Sequence, residues 1–349
     1  MAKQRKSRKR NRQKMLLIVS AVVVCVILAA TAGVFYSFRT AVAEKGGMLY
    51  VRPGMTADAF ADTLAVRFGE KLSDHVMLLS KIKDLDLSRR VGAYQIEKGA
   101  TSIEVWRKVS TGAQTPVKFT FNNMRTVEEF AEAASQELAM TKEDLLPLLC
   151  DSAKCAERGF TPQTISAMLI PDTYEVYWSV SPSGLLDKLQ QSYEQFWNAA
   201  RLEKARKIGL SPVEVATLAS IVDSETANNA EKGTIARLYL NRIERGIKLQ
   251  SDPTVKFAVG DNGLRRILNK HLAVDSPYNT YMYEGLPPGP IRFPEKRTLE
   301  AVLDAPENNY LYMCAKEDFS GSHRFTASYS EHLANARRYQ QELNKRGIR

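Results

Sequence analysis

The sequence has few of the residues that build metal centres and disulfide scaffolds. Only four histidines and four cysteines occur among its 349 residues. His271, His323 and His332 do not have the spacing of zinc ligands, and the sequence contains neither a His-Glu-x-x-His motif nor a glycine-rich loop for phosphates. We therefore predict no metal ion and no cofactor.

The cysteines are also too few for a disulfide-rich fold. Cys25 lies in an apolar segment, and Cys314 stands alone in the sequence. Cys150 and Cys155 flank a short polar stretch, where an oxidising compartment could close a small loop. Two unpaired thiols are an equally good interpretation, so the sequence leaves this pairing open.

Acidic residues are absent from the first 36 positions, where the composition predicts a membrane anchor. Residues 15–36 carry no charge, and a helix of that length, at about 1.5 Å per residue, crosses a hydrocarbon layer of roughly 30 Å. The positive-inside rule then places the N-terminus in the cytoplasm. This placement depends on eight basic residues in positions 1–14: Lys3, Arg5, Lys6, Arg8, Lys9, Arg10, Arg12 and Lys14.

This topology predicts a single-pass protein of the inner, or cytoplasmic, membrane with an extracytoplasmic (periplasmic) main part. A cleaved signal peptide is the alternative, because Ala30, Thr31 and Ala32 resemble a small-x-small cleavage site. The apolar segment is longer than the usual 7 to 15 residues of a signal peptide, which favours retention.

The charge of the chain does not indicate a nucleic-acid partner. The formal net charge is +10, from 49 basic and 39 acidic residues. Without the eight basic residues of the tail, 41 basic residues balance the 39 acidic ones almost completely. No basic face remains to follow a phosphate backbone, so we predict no nucleic-acid binding.

The part of the chain after the apolar segment is long enough for two domains of mixed α+β class. A pattern of apolar stretch, turn and Thr recurs at Thr56, Thr101 and Thr126, and each copy predicts a strand followed by an N-capped helix. We predict a linker at 37–46, a small module at 47–112 with a further helix near 73–83, and a larger domain at 113–349 that ends in a helix at 330–345.

One helix start in the larger domain is marked by several signals together. Ser211 as N-cap, Pro212 at the first position and Glu214 three residues after the cap form a capping box, which fixes the helix phase. In that phase Glu225 lies beside an apolar stripe formed by Val215, Leu218, Ala219 and Val222, whereas Asp223 points away from it.

An acid beside apolar side chains has a raised pKa, as a general acid near neutral pH requires. Two alternatives without a catalytic role remain for Glu225. It could end the helix in solvent, or it could pair with Arg237 or Arg242 of the next helix.

Five stretches of the larger domain resemble the YceG-like (MltG) family of endolytic murein transglycosylases. They follow one another in the family's order: PDTYEVYW, LASIVDSET, LYLNRIERGIKLQSDPTVKFAVG, SPYNTYMYEGLPPGPI and YLYMCAKEDFSGSHRF. The resemblance implies a single membrane anchor and a LysM-like module, which the N-terminal repeat resembles.

The resemblance also implies a catalytic residue and a reaction. The family has an acid at the position of Glu225, and its other acidic position, usually Glu or Gln, is Asp223 here. Asp223 and Glu225 point in different directions and cannot bracket one glycosidic bond as the two carboxyl groups of ordinary glycosidases do. In the implied reaction Glu225 alone cleaves the bond between N-acetylmuramic acid and N-acetylglucosamine, and the C6 hydroxyl of muramic acid closes a 1,6-anhydro end.

Six further motif residues are interpreted as substrate-binding: Asn241, Gln250, Asp252, Tyr278, Asn279 and Tyr281. Each has a structural alternative. Asp252 before a proline is a common turn, Asn241 could cap a neighbouring segment, and Pro287 and Pro288 could only shape a loop.

We thus expect a membrane-anchored lytic transglycosylase that binds peptidoglycan strands, ends nascent strands and has peptidoglycan synthases as candidate partners. One alternative is a muramidase that admits water and uses a second acid such as Asp252. The other is a non-catalytic glycan-binding scaffold of the cell-wall elongation machinery.

Overall fold

The computed structural model describes residues 2–260, 264 and 266–347, and the side chains of these residues from position 14 onward. The chain is of mixed α+β class and forms two compact units. The first unit comprises residues 1–117 and 177–179, and the second comprises residues 118–176 and 180–349.

The chain begins with a long helix, α1 (Ala2–Thr40). Its part Lys14–Thr40 has a mean hydropathy of 2.9 and is long and apolar enough to cross a membrane. The side chains of the predicted span at 15–36 are exposed. The side chains of residues 1–13 lie outside the described residues, so the orientation inferred from the basic tail stays a prediction.

The helix continues past the predicted span and packs into the first unit. Phe38 is buried, and its ring lies 4.8 Å from that of His75, edge to face. The hydroxyl of Ser37 is 2.7 Å from Nε2 of the same histidine, and Ser102 Oγ donates to the carbonyl of Phe38. The first four residues of the segment predicted as a linker are therefore helical and anchored by side chains.

The remainder of the first unit is a two-stranded sheet with three α-helices and a 3₁₀ helix. Its elements are β1 (Gly47–Val51), α2 (Ala57–Phe68), α3 (Glu70–Ile82), a 3₁₀ helix (Leu87–Arg90), β2 (Gly92–Ile96) and α4 (Ser102–Ser110). β1 and β2 pair antiparallel, with Gly47 opposite Ile96. Leu49, Phe60 and Tyr94 are fully buried in its core.

The predicted strand–turn–helix units are confirmed. Thr56, Thr101 and Thr126 each accept a hydrogen bond from a backbone N–H three residues later, and so cap the helices that begin at Ala57, Ser102 and Val127. Their hydroxyl oxygens satisfy amide groups that have no partner within the helix itself.

The second unit is largely helical, with two small sheets. Its elements up to the centre of the unit are β3 (Val117–Thr120), α5 (Val127–Glu137), α6 (Lys142–Cys150), α7 (Ser152–Glu157), a 3₁₀ helix (Ile165–Met168), β4 (Thr173–Val176), α8 (Pro182–Phe196), α9 (Ala199–Lys207), α10 (Pro212–Glu225) and α11 (Lys232–Glu244). The others are α12 (Asp252–Val259), α13 (Asn269–Leu272), α14 (Lys296–Leu303), β5 (Tyr312–Ala315), β6 (His323–Thr326) and α15 (Tyr329–Lys345). β3 pairs with β4, and β5 pairs antiparallel with β6.

Helix α10 is central to the second unit, and its predicted start is confirmed. Ser211 Oγ accepts from the N–H of Glu214, whose carboxylate accepts in turn from the N–H of Ser211 at 2.7 Å. The predicted apolar stripe is buried, but Thr217 and Ser220 on other sides of the helix are buried as well. The reason is that α11, α12 and α14 all pack against it.

The proline- and glycine-rich stretches of the second unit form short or irregular structure. Pro253 lies in the first turn of α12, an eight-residue helix. Gly289 approaches another segment so closely that an added Cβ atom would lie 2.0 Å from the carbonyl oxygen of Gln163. A side chain at position 289 therefore cannot fit without movement of the backbone.

The two neighbouring cysteines are free thiols in this structure. Cys150 is exposed at the end of α6, whereas Cys155 is buried in α7. The Cys155 thiol lies 3.3 Å from the carbonyl oxygen of Leu149, to which it donates.

Candidate active site

Glu225, the last residue of α10, lines a pocket of about 320 Å³ in the second unit. Its Oε1 accepts two hydrogen bonds, from Tyr239 Oη at 2.7 Å and from Ser251 Oγ at 2.5 Å. Within the described part of the chain its Oε2 accepts none. One carboxylate oxygen is thus held in place, and the other remains available to a ligand.

The donors to Glu225 are neutral hydroxyl groups rather than cations. Neither arginine considered as a partner from the sequence pairs with it. Arg237 forms ion pairs with Glu244 and Glu307, and Arg242 donates to backbone carbonyls such as that of Leu311. Glu225 therefore has no ion-pair partner among the described residues.

These surroundings raise the pKa of Glu225. The largest cause is desolvation, which disfavours the ionised carboxylate, and the hydrogen bonds from Ser251 and Tyr239 oppose it. A nearby Asp252 adds to the rise. The negative end of the α10 dipole also disfavours a negative charge at this position. The result is a carboxyl group that keeps its proton to higher pH than an ordinary glutamic acid.

Ser251 is also held through its backbone groups. Its N–H donates to Thr280 Oγ1 at 3.0 Å, and its carbonyl accepts from Thr254 Oγ1 at 2.7 Å. The two threonine hydroxyls lie 2.8 Å apart, and Ser251, Thr254 and Thr280 are all buried. This small polar network sets the position from which Ser251 donates to the carboxylate.

Three of the six residues predicted to bind substrate line the pocket together with Glu225: Gln250, Asp252 and Tyr281. Asp252 is exposed and accepts from Tyr281 Oη at 2.8 Å. Gln250 has a φ of 52°, a left-handed conformation that is unfavourable for a residue with a side chain. Such backbone strain is concentrated at functional sites.

The other three residues lie outside this pocket. Asn241 is buried and donates to the carbonyls of Asn308 and Tyr310, as in the alternative that it caps a neighbouring segment. Asn279 is buried and donates to two backbone carbonyls, of Leu272 and Val274. Tyr278 packs against Phe257, with ring centroids 4.7 Å apart. The geometry favours structural roles for these three residues over substrate contact.

Asp223, two residues before Glu225, belongs to a different environment. Its Oδ1 forms a salt bridge with Lys232 Nζ at 2.6 Å and accepts from Thr298 Oγ1 at 2.5 Å. Its Oδ2 accepts from the N–H of Glu295 at 2.8 Å. The side chains of Asp223 and Lys232 are only 1% and 5% exposed, which makes this a buried ion pair between α10, α11 and α14.

Several residues around Glu225 were not predicted as site residues from the sequence. Tyr239 and Arg242 are three residues apart on α11 and hence on one face, so the phase of that helix could have placed them together. No comparable signal marked Ser251 or His332. His332 lies in α15, its ring stacks on Tyr312, and desolvation lowers its pKa.

The chain is similar to a known protein family over most of its length. The sequence profile of the YceG-like family matches residues 49–338. An endolytic murein transglycosylase of Bacillus subtilis (strain 168) is 27% identical over 274 residues, which are 74% of this chain and 75% of that protein.

Two further similarities were found. An endolytic murein transglycosylase of Streptococcus pneumoniae (strain D39) is 24% identical over 65% of this chain, although the alignment spans only 46% of that longer protein. The crystal structure of a YceG-like protein from Listeria monocytogenes has a TM-score of 0.56 and 23% identity, covering 84% of this chain and 99% of that one. The structural similarity bears on the fold alone.

Proposed function

The chain belongs to the YceG-like family, and from that premise we propose that it is an endolytic peptidoglycan transglycosylase with Glu225 as its catalytic acid. The observation that carries the proposal is the environment of Glu225. A carboxyl group with a raised pKa, held by two neutral donors, lines a pocket with a second acid and polar side chains.

The first step is protonation of the leaving group. Protonated Glu225 donates its proton to the glycosidic oxygen between N-acetylmuramic acid and N-acetylglucosamine, and the bond from that oxygen to C1 of muramic acid breaks. General acid catalysis of this kind contributes about 10²- to 10⁴-fold to a rate. As Glu225 becomes a carboxylate, the Tyr239 and Ser251 hydroxyls stabilise the new negative charge.

The second step uses a nucleophile from the substrate. The Glu225 carboxylate removes the proton from the C6 hydroxyl of muramic acid while that oxygen bonds to C1. The product is a 1,6-anhydro end, Glu225 recovers its proton, and no water is consumed. One acid therefore performs both proton transfers.

We assign substrate contacts to Gln250, Asp252 and Tyr281, which line the pocket with Glu225. Asn241, Tyr278 and Asn279 then act indirectly, by holding the loops and helices around it. The Tyr281 hydroxyl already donates to Asp252, which supports a joint role of these two side chains in orienting a sugar.

The location of the enzyme is also part of the proposal. We place α1 across the cytoplasmic membrane, with its basic end in the cytoplasm and both folded units outside, where new glycan strands are made. The apolar, exposed stretch of α1 supports this placement. We take residues 47–112 of the first unit as a LysM-like module that binds glycan, and peptidoglycan synthases as partners.

The test is product analysis on purified sacculi with the full-length chain in detergent. The wild type should release muropeptides with 1,6-anhydro ends, and Glu225→Gln should not. Glu284→Gln is a matched control, because Glu284 is an exposed glutamate that does not line the pocket. Anhydro products from Glu225→Gln at the wild-type rate would overturn the mechanism, and glycan binding without any product would favour the scaffold.

A hydrolytic muramidase is the second candidate, because Asp252 lines the same pocket as Glu225 and influences its pKa. In that reaction a water molecule attacks C1, and the product has a reducing end. Mass spectrometry distinguishes the two reactions, since an anhydro end is lighter by one water molecule.

A further inference from the structure

A second cavity, of about 540 Å³, adjoins the pocket of Glu225. Asp252 lines both, and Ser224 of this cavity directly precedes Glu225 of the pocket. We call it the basic cavity, because four cationic residues and one acid are among its described lining residues. The cations are Arg125, Lys256, Arg266 and Arg292, and the acid is Asp252.

Three of these cations have no carboxylate partner within the described residues. Lys256 is half-buried and Arg266 is exposed, and neither forms an ion pair there. Arg292 donates to two backbone carbonyls, those of Asn123 at 2.9 Å and Asp223 at 3.5 Å, and its buried Nε has no hydrogen-bond partner. Positive charges that converge on a concave surface in excess of the acids there favour an anionic ligand.

Part of the cavity lining is apolar. Phe257, Ile267 and Ile291 line the cavity together with the charged groups. Its volume lies within the range of small-ligand sites, roughly 300–1,000 Å³. A suitable ligand therefore combines carboxylates with small apolar groups, as a short peptide of alanine-like and acidic residues does.

We propose that the basic cavity binds the carboxylate-bearing peptide attached to muramic acid, next to the sugar whose bond is cleaved. This inference rests on the proposed function. The shared residue Asp252 and the consecutive residues Ser224 and Glu225 place a ligand of one site beside a ligand of the other. Lys256 and Arg266 pair with the peptide carboxylates, and the apolar part of the lining contacts its small side chains.

The experiment measures binding and cleavage separately, with two substrates. Glycan strands that keep their peptides are compared with strands from which an amidase has removed them. Binding is measured with Glu225→Gln as the background, with and without Lys256→Gln and Arg266→Gln together. Because charged hydrogen bonds and exposed ion pairs are lost, we expect about tenfold weaker binding of peptide-bearing strands and unchanged binding of bare strands. Lys270→Gln, an exposed cation outside the cavity, is the matched control.

Equal binding of peptide-bearing strands by the background and the cavity variant would overturn the inference. An equal loss for both kinds of strand would also overturn it, since the cavity would then bind the sugar chain or another anion. Failure of the proposed function is distinguishable, because it shows as a lack of anhydro products from the wild type whatever the binding assay gives.

Discussion

Asp223 and Glu225 are two acids on one helix, two residues apart, with opposite surroundings. Asp223 faces a buried ammonium group, a hydroxyl and a backbone N–H, and its side chain is almost inaccessible. Glu225 faces two hydroxyls and an open pocket. An acid paired with a buried cation ties helices together. An acid with only neutral donors in a desolvated site can hold and release a proton.

The largest expected effect separates the two acids by activity. Glu225→Gln should lower kcat by about 10²- to 10⁴-fold, because the amide still accepts from Tyr239 and Ser251 but has no proton to give. Its thermal midpoint should stay close to that of the wild type. Initial rates of anhydro-end formation measure kcat, and thermal unfolding in detergent measures the midpoint. A rate within tenfold of the wild type would remove the distinction between the acids.

The second-largest expected effect distinguishes Asp223 from Glu225 by thermal stability. In Asp223→Asn the buried Lys232 ammonium keeps only the Glu295 carboxylate, at 3.2 Å, as an ionic partner. Loss of the closer carboxylate should cost about 2 kcal/mol, or roughly 4–8 °C in the midpoint of a unit of this size. The kcat of the folded fraction should change less than fivefold. Adding Lys232→Gln should recover part of the loss, because the buried ammonium, then paired with Glu295 alone, is gone. A variant as stable as the wild type but inactive would reverse the roles assigned here.

Tyr239→Phe tests the neutral donors through the pH profile. The enzyme needs Glu225 protonated, so its rate falls as pH rises through the pKa of this carboxyl. The Tyr239 hydroxyl stabilises the carboxylate and so lowers that pKa, against the larger effect of desolvation. Without the hydroxyl the pKa rises, and the alkaline limb of kcat should move to higher pH with a loss of up to about tenfold in rate.

The control for this profile is Tyr193→Phe in α8. Tyr193 is a tyrosine with a pKa raised by desolvation to about 12, and it does not line the pocket. Its variant should leave the limb unmoved. A limb that moved to lower pH in Tyr239→Phe would mean that the hydroxyl favours the protonated acid instead.

The smallest expected effects compare polar residues inside and outside the pocket. Asn241→Ala should cost about 1–3 kcal/mol, because the carbonyls of Asn308 and Tyr310 lose a buried donor, and KM should stay within twofold. Gln250→Ala should instead raise KM several-fold at nearly constant stability. Steady-state kinetics on soluble strands and thermal unfolding would test both, and the opposite pattern would restore Asn241 as a substrate contact.

The different surroundings of Asp223 and Glu225 could be predicted from the sequence only in part. The capping box fixed the phase of α10, and this phase correctly separated Glu225 from Asp223. Helix phase alone could not show that the far side of α10 is also buried, because that depends on α14, which follows about 70 residues later. The salt bridge to Lys232 and the hydroxyl of Thr298 come from such distant parts of the chain.

The pocket shows the same limit. Gln250 and Asp252 were predicted from one motif and lie together, since both are close to the start of α12. Tyr281 was predicted from another motif, and its hydroxyl donates to Asp252. Ser251 was missed because its role depends on a contact with Glu225, 26 residues away. Asn241 and Asn279 come from the same motifs, but their amide groups bind backbone carbonyls that no motif reveals.

One consequence of α1 concerns distance and angle rather than chemistry. The helix enters the first unit without a break, and Ser37 and Phe38 fasten its end there. Under the proposed anchoring this helix connects the membrane span rigidly to the first unit, as a flexible linker would not. Each residue inserted into its apolar stretch would raise the first unit by about 1.5 Å and turn it by about 100°. The length of this helix therefore sets both the height of the first unit above the bilayer and the direction in which it faces.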